Sequence, residues 1–300
     1  MNRAKPLLAS FLVLLMCSLS FFAFSAEDSI SEEEQQYITW AKGIWDSIDK
    51  QSGAIKIDEA GAILNVPEHF YFLNAGDTKK VLEDMWGNPP GSSVLGMLLP
   101  ANVPPYENES WAVTIEYEED GYVSDEDAGD IDYNELLVQM KADTRTESEA
   151  RTQEGYEAIQ LIGWASAPYY DSNQKKLHWA KEIKFGEQEV NTLNYSIRVL
   201  GRKGVLVLNF IAGMDQQSVI ASNLDSVLAL AEFDQGYKYS DFDPEFDQVA
   251  AYGLGALVAG KVIAKTGFLA VALVFLKKFG VFILLGLGVL VKKLLPSKKA

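Results

Sequence analysis

Cysteine is almost absent from this chain of 300 residues. Cys17 is the only one, and it lies in a segment with the marks of a leader peptide. A mature chain without it has no disulfides, no thiolate chemistry and no cysteine metal ligands. Histidine is nearly as scarce: His69 and His178 are the only two. A two-histidine metal centre or a Ser-His-Asp triad would need one of them. No G-x-S-x-G is present, and both histidines read more simply as structural. Acid is missing from the last fifty residues, and base is missing from residues 114–137. In those last fifty residues no lysine-free apolar run reaches the roughly 20 residues that span a bilayer; Gly267–Leu276 gives ten and Phe279–Val291 thirteen.

The charge that is present is segregated. All 42 acidic residues lie between Glu27 and Asp247, against 16 basic residues there, a net −26. After residue 250 there are eight lysines and no acid. An acidic body of this kind repels phosphates, so nucleic acid is not expected as a partner. The N-terminus has Arg3 and Lys5, an apolar run, and small residues before an acidic start. That is the pattern of a secretory signal peptide over residues 1–25, cut after Ser25 or Ala26. An uncleaved anchor is the alternative. A lipoprotein acylated at Cys17 is disfavoured, because Met16 stands where a small residue is needed.

Residues 251–300 read as a hydrophobic anchor. One helix over about 268–291 would carry Lys277 and Lys278 near mid-bilayer, costing about 2.5–3.5 kcal/mol for each such charge. Two shorter segments with snorkelling lysines avoid that cost. A buried hairpin in a soluble protein is the other option, against which the terminal KKLLPSKK argues. Ala256, Gly260 and Ala264 have the small-xxx-small spacing that lets helices approach, so self-association through them is a possible use. The basic end favours a cytoplasmic C-terminus. The expectation is a bacterial inner-membrane protein with a periplasmic body (26–235), a polar linker (236–250) and contact with the lipid bilayer through residues 251–295.

Within the body, Ser31 and the glutamates after it start a helix whose apolar face is Tyr37, Trp40, Ala41, Ile44, Trp45 and Ile48. AIKIDEAGAILNVP reads as two short strands about a turn. NAGDTKKVLEDMWGNPPG reads as a helix capped at Asp77 and stopped by Gly87, Pro89 and Pro90. VLGMLLP and SWAVTIEYEED are strands, and a helix runs from about Tyr133 to before Gly155. Two hairpins follow, turning at DSNQ and RK, then an amphipathic helix through Val219, Ile220, Leu224, Val227, Leu228 and Leu230. The fold class is α+β: an antiparallel β-meander packed with helices, plus the C-terminal anchor helix. The element order resembles the fold of photosystem oxygen-evolving subunits and Mog1-like nuclear-import proteins, a likeness that carries no function.

TIEYEEDGYVSDEDAGDIDYNELL holds ten carboxylates. As an EF-hand from Asp125 it fails, because Gly129 falls at position 5, Asp130 at 6 and Leu136 at 12. Three readings stay open for Asp125, Asp127 and Asp130: helix caps on a solvated loop, an irregular divalent-cation site, or a docking surface for a basic partner. Ser124/Asp127 and Asp132/Glu135 both have capping-box spacing. Trp164, Tyr169, Tyr170 and Trp179 cluster on one hairpin, either as core or as an exposed platform for a glycan or peptide. GRKG reads as a hairpin tip, and WGNPPG as a helix stop that can double as a ligand loop.

The stretches AILNVPEHFYFL, VLEDMWGNPPG, GYEAIQLIGWASAPYYD, LNYSIRVLGRKGVLVLNFIAGMDQ and YSDFDPEFDQVAAYG together resemble the bacterial membrane-anchored family of domain of unknown function 2167, over roughly residues 55–295. The resemblance implies an exported domain on a C-terminal anchor and supplies no activity, cofactor or catalytic residue. The leading expectation is a non-enzymatic domain that binds another envelope protein. An envelope hydrolase using paired carboxylates, and a structural membrane-stress protein acting through its anchor, are the alternatives.

Overall fold

A computed structural model describes residues 31–260, apart from residues 92 and 108. The expected signal peptide with Cys17, Ala264 and the apolar stretch from residue 261 onward lie outside the described residues. Among the described residues no helix is long and apolar enough to cross a membrane.

Helix α1 (Glu32–Asp46) is capped by Ser31, whose hydroxyl accepts from Glu34 N. Strands β1 (Gly53–Ile57) and β2 (Ala62–Val66) form the expected hairpin. Phe70–Asn74, for which the sequence pattern gives no element, is strand β3. Helix α2 (Ala75–Lys79) follows and continues through a π-helical turn to Met85. Its cap is Asn74, whose side chain accepts from Asp77 N, and not Asp77 as expected. Strands β4 (Gly96–Pro100) and β5 (Ala112–Glu118) precede helix α3 (Tyr133–Gln153). Strands β6 (Ile159–Asp171), β7 (Lys176–Phe185), β8 (Thr192–Leu200) and β9 (Val205–Gly213) form the meander. Helix α4 (Gln217–Leu230), strand β10 (Ala231–Phe233) and helix α5 (Leu254–Ala259) complete the chain.

All strand pairs are antiparallel. A seven-stranded sheet has the order β3-β4-β5-β9-β8-β7-β6, and a small sheet has the order β1-β2-β10. The α+β class and the antiparallel meander are therefore as expected. The α3 crossover carries the chain from β5 to the far edge, and β9 returns to close the gap between β8 and β5. Edge strand β6 is irregular, with register shifts between Leu161 and Tyr169, the kind of disruption that keeps an edge from recruiting another strand.

Strand alternation divides the large sheet between two cores. One face packs Val113, Ile115, Ile197, Leu208 and Phe210 against α4 and the small sheet. The other face is covered twice. At one end α1 and the π-turn pack on Leu73, Met97, Leu99 and Ala112. At the other, α3 and α5 pack on Leu177, Trp179, Leu200, Val205 and Val207. The two helical covers leave the middle of this face to other residues.

Candidate functional site: an acidic clasp and a polar-floored trough

Segment 236–250 is not a free linker. Gly201 bridges Lys238, and Tyr122 bridges Val249. Tyr122 N donates to Gln248 O at 2.8 Å, and Ala250 N to Tyr122 O at 2.8 Å. Tyr122 stacks on Tyr239 and Phe242 with ring centroids at 4.4 and 3.9 Å. Arg202, at the tip of the GRKG hairpin, donates from Nε to Asp247 Oδ2 at 2.7 Å. The folded body thus extends to Ala259 and not to 235. The sequence looked like a linker because its apolar side chains are aromatic and widely spaced, with no period.

The acidic stretch grips this segment. Tyr170 Oη and Lys175 Nζ donate to Asp125 Oδ2 at 2.6 and 2.7 Å, and Tyr239 Oη donates to Oδ1 at 3.0 Å. Burial pushes the Asp125 carboxyl up, but these hydrogen bonds outweigh it and hold it below its ordinary range. Asp127 Oδ1 accepts from Leu254 N at 3.2 Å, at the start of α5. Asp120 accepts from Tyr252 Oη at 2.6 Å. Asp132 caps α3 as expected, accepting from Asn134 N and Glu135 N; Ser124 caps no helix and accepts from Glu126 N in a local turn. Asp130 is exposed. Asp125 is paired with the Lys175 ammonium, and no metal-holding cluster of His, Cys, Asp or Glu occurs among the described residues. Gly121 sits at the hinge of this contact, with φ +96 and a would-be Cβ 2.6 Å from Gln248 O. Gly121→Ala is expected to cost about 2 kcal/mol or more through backbone strain and overpacking, read as a lowered urea midpoint.

The four hairpin aromatics do not form a platform. Trp179 is core, Trp164 and Tyr170 are half-buried against the same cluster, and Tyr169 alone points out, 65% exposed. Trp164 Nε1 donates to Tyr133 O at 3.3 Å, on α3. Ala256 is buried in the body and Gly260 ends α5 in the left-handed region, so the small-residue stripe does not run along one helix among the described residues. His69 precedes β3 and His178 lies on β7, five strand positions away, so they form no pair.

The uncovered middle of the sheet is polar. One rung across four strands reads Thr114, Asn209, Ser196, Trp179. Adjacent rungs place Asn194 beside Lys181, and Glu116 and Arg198 on either side of Val207. Ser196 Oγ donates to Asn209 Oδ1 at 2.9 Å, and Arg198 Nη1 donates to the same oxygen at 3.2 Å. Because a guanidinium only donates, that atom is the amide oxygen, and Asn209, which lines the cleft, has no partner for its amide nitrogen among the described residues. Arg198 lies over the Trp179 ring at 4.9 Å. The Glu116 carboxylate accepts no hydrogen bond among the described residues, and burial pushes it up against the opposing pull of Arg198. Above this floor is a cleft of about 450 Å³, walled by Asn88, Pro89, Pro90 and Gly91 of the WGNPPG loop. None of these floor residues stands out in the sequence, where Asn194, Ser196 and Arg198 alternate with apolar neighbours as an ordinary solvent face would. The one available signal is Asn209, the lone polar residue in VLVLNFIAG.

A family model described as "Protein of unknown function (DUF2167)" matches residues 49–288. The chain belongs to that family. No curated protein matches it. Among solved structures, cyanobacterial PsbP (CyanoP) from Synechocystis sp. PCC 6803 is similar at 12% identity over 62% of this chain and 92% of that one, with a TM-score of 0.34. The Ran-binding protein Mog1p of Saccharomyces cerevisiae is similar at 9% identity over 65% and 100%, with a TM-score of 0.29. At scores this low neither neighbour bears on what this DUF2167 chain does. The clasp and the polar floor stand on their own geometry.

Proposed function

We propose that this DUF2167 protein is a non-enzymatic binding domain of the bacterial envelope. Its body faces the periplasm, and a bilayer anchor within residues 261–295 leaves the C-terminus in the cytoplasm. The observation that carries the binding reading is the polar floor: the Asn209 amide nitrogen and the Glu116 carboxylate, with no protein partner among the described residues, set in a sheet face that is apolar on both sides of them. Unmet donors and acceptors are costly unless water or a ligand meets them. The clasp supports the anchored posture, since it fastens to the body the segment that precedes the apolar stretch.

The test is a photo-crosslinker placed in full-length protein in living cells, at Asn88 beside the trough or at Asp130 on the acidic loop. Adducts from Asn88 and none from Asp130 are expected. Adducts from Asp130 alone would return the acidic loop as the docking surface, and adducts from neither would end the binding reading. A hydrolase using carboxylates is the second reading, favoured by the upward push on Glu116. It requires turnover that Glu116→Gln abolishes.

A further inference from the structure

We propose that the ligand of the trough is a neutral oligosaccharide, an inference that rests on the binding reading above. The cleft over the polar floor does not end at the WGNPPG loop. It adjoins a second cleft of about 630 Å³ through Asn88 and Ile211. That one adjoins a third of about 590 Å³ through Trp86, Gln188 and Thr192. Each is the size of a small-ligand site, and Ile211 lines all three, so together they give room around it for more than one sugar unit.

The chemistry narrows the polymer. The floor is a sheet face whose backbone groups are spent in the β5–β9–β8 ladders, so a peptide cannot dock there as an added strand. Recognition must come from side chains. No Lys or Arg lines the first or third cleft, Arg198 beneath the first is engaged by Asn209 Oδ1 and the Trp179 ring, and the body carries −26, so an anionic chain is disfavoured. Arg151 in the second cleft is engaged, lying over the Tyr156 and Phe185 rings at 5.6 and 6.0 Å. What remains is side-chain amides next to a carboxylate. A hydroxyl group both donates and accepts, so a row of hydroxyls satisfies amide N–H and carboxylate oxygen side by side. Flat apolar faces for the C–H sides of sugar rings come from Pro89, Pro90 and Trp86. The Trp86 ring is fixed by its indole N–H donating to Pro105 O at 2.8 Å.

The experiment is calorimetric titration of the full-length protein in a sugar-free detergent. The probes are N-acetylglucosamine tetramer, maltotetraose and an uncharged decapeptide. We expect one or both sugars to bind. Asn194→Ala should weaken that binding about tenfold, the worth of one hydrogen bond to the ligand. Asp130→Asn, on the exposed acidic loop and outside the trough, should retain it. Circular dichroism and the urea midpoint check that each variant is folded. No sugar binding at millimolar probe overturns the proposal, as does binding that Asn194→Ala leaves unchanged. Decapeptide binding lost in Asn194→Ala also overturns it, while leaving the binding-domain reading in place. Crosslinking from Asn88 reports on that reading separately.

Discussion

Asp125→Ala unfastens the C-terminal segment and lowers stability by about 2 kcal/mol, because the Tyr170 hydroxyl and the Lys175 ammonium lose their acceptor and Tyr239 keeps only Val123 O. The site is only partly exposed, with Asp125 at 21% and Lys175 at 33%, so water replaces the lost acceptor incompletely. Limited proteolysis of the variant should cut first between residues 236 and 250, where the wild type is protected. The same clasp is acid-sensitive. The Asp125 carboxyl is held below its ordinary 3.8 in the fold. Its contribution is complete above that value and drains away as pH falls through the lower folded one. Urea midpoints at pH 7 and pH 3 should therefore differ less in Asp125→Asn than in the wild type. Equal acid sensitivity of the two would show that other carboxylates carry the effect.

Lys181→Met has the opposite sign. Burial, then the Arg198 guanidinium, pushes the Lys181 ammonium down to about 8, with Glu147 opposing only in part. The unfolded chain keeps that proton up to 10.5, so at pH 7 the fold carries a charge in a place that disfavours it. The difference corresponds to about 3 kcal/mol at most. Methionine keeps most of the unbranched stem and removes the charge from this half-buried position, and replacing a poorly compensated charge by an apolar group is often stabilising. Urea unfolding at pH 7 should show the variant more stable by about 2–3 kcal/mol. Between pH 8 and 10.5 the unfolded wild type binds the extra proton, so its stability rises with pH and the gap to the variant closes. A variant no more stable than the wild type at pH 7 would mean that Lys181 finds compensation in solution.

Local order was plain in the sequence. The Ser31 and Asp132 caps, the part of the α1 face from Ala41 to Ile48 and the alternation in β8 and β9 all follow from backbone hydrogen bonding and side-chain direction, which act over a few residues; Tyr37 and Trp40, expected on that same face, are 37% and 47% exposed. Strand β3 escaped notice because FYFL is four bulky residues in a row, with no alternation to reveal it. The linker reading failed for a related reason. Residues 236–250 have no period because they are held by partners from other elements, not by their own ladder.

The sequence by itself determined the charge segregation, the α+β class and the position of every long element, since these depend on composition and short-range periodicity. Only the tertiary structure decided what the acids and the strand polar residues do. Asp125 meets Tyr239 across 114 positions and Tyr170 across 45, and no local rule selects either partner. Alternation divides β8 into two faces, but whether Asn194, Ser196 and Arg198 look onto water, helix or trough depends on where α1 and α3 stop covering the sheet. That is fixed by packing between segments distant in the chain.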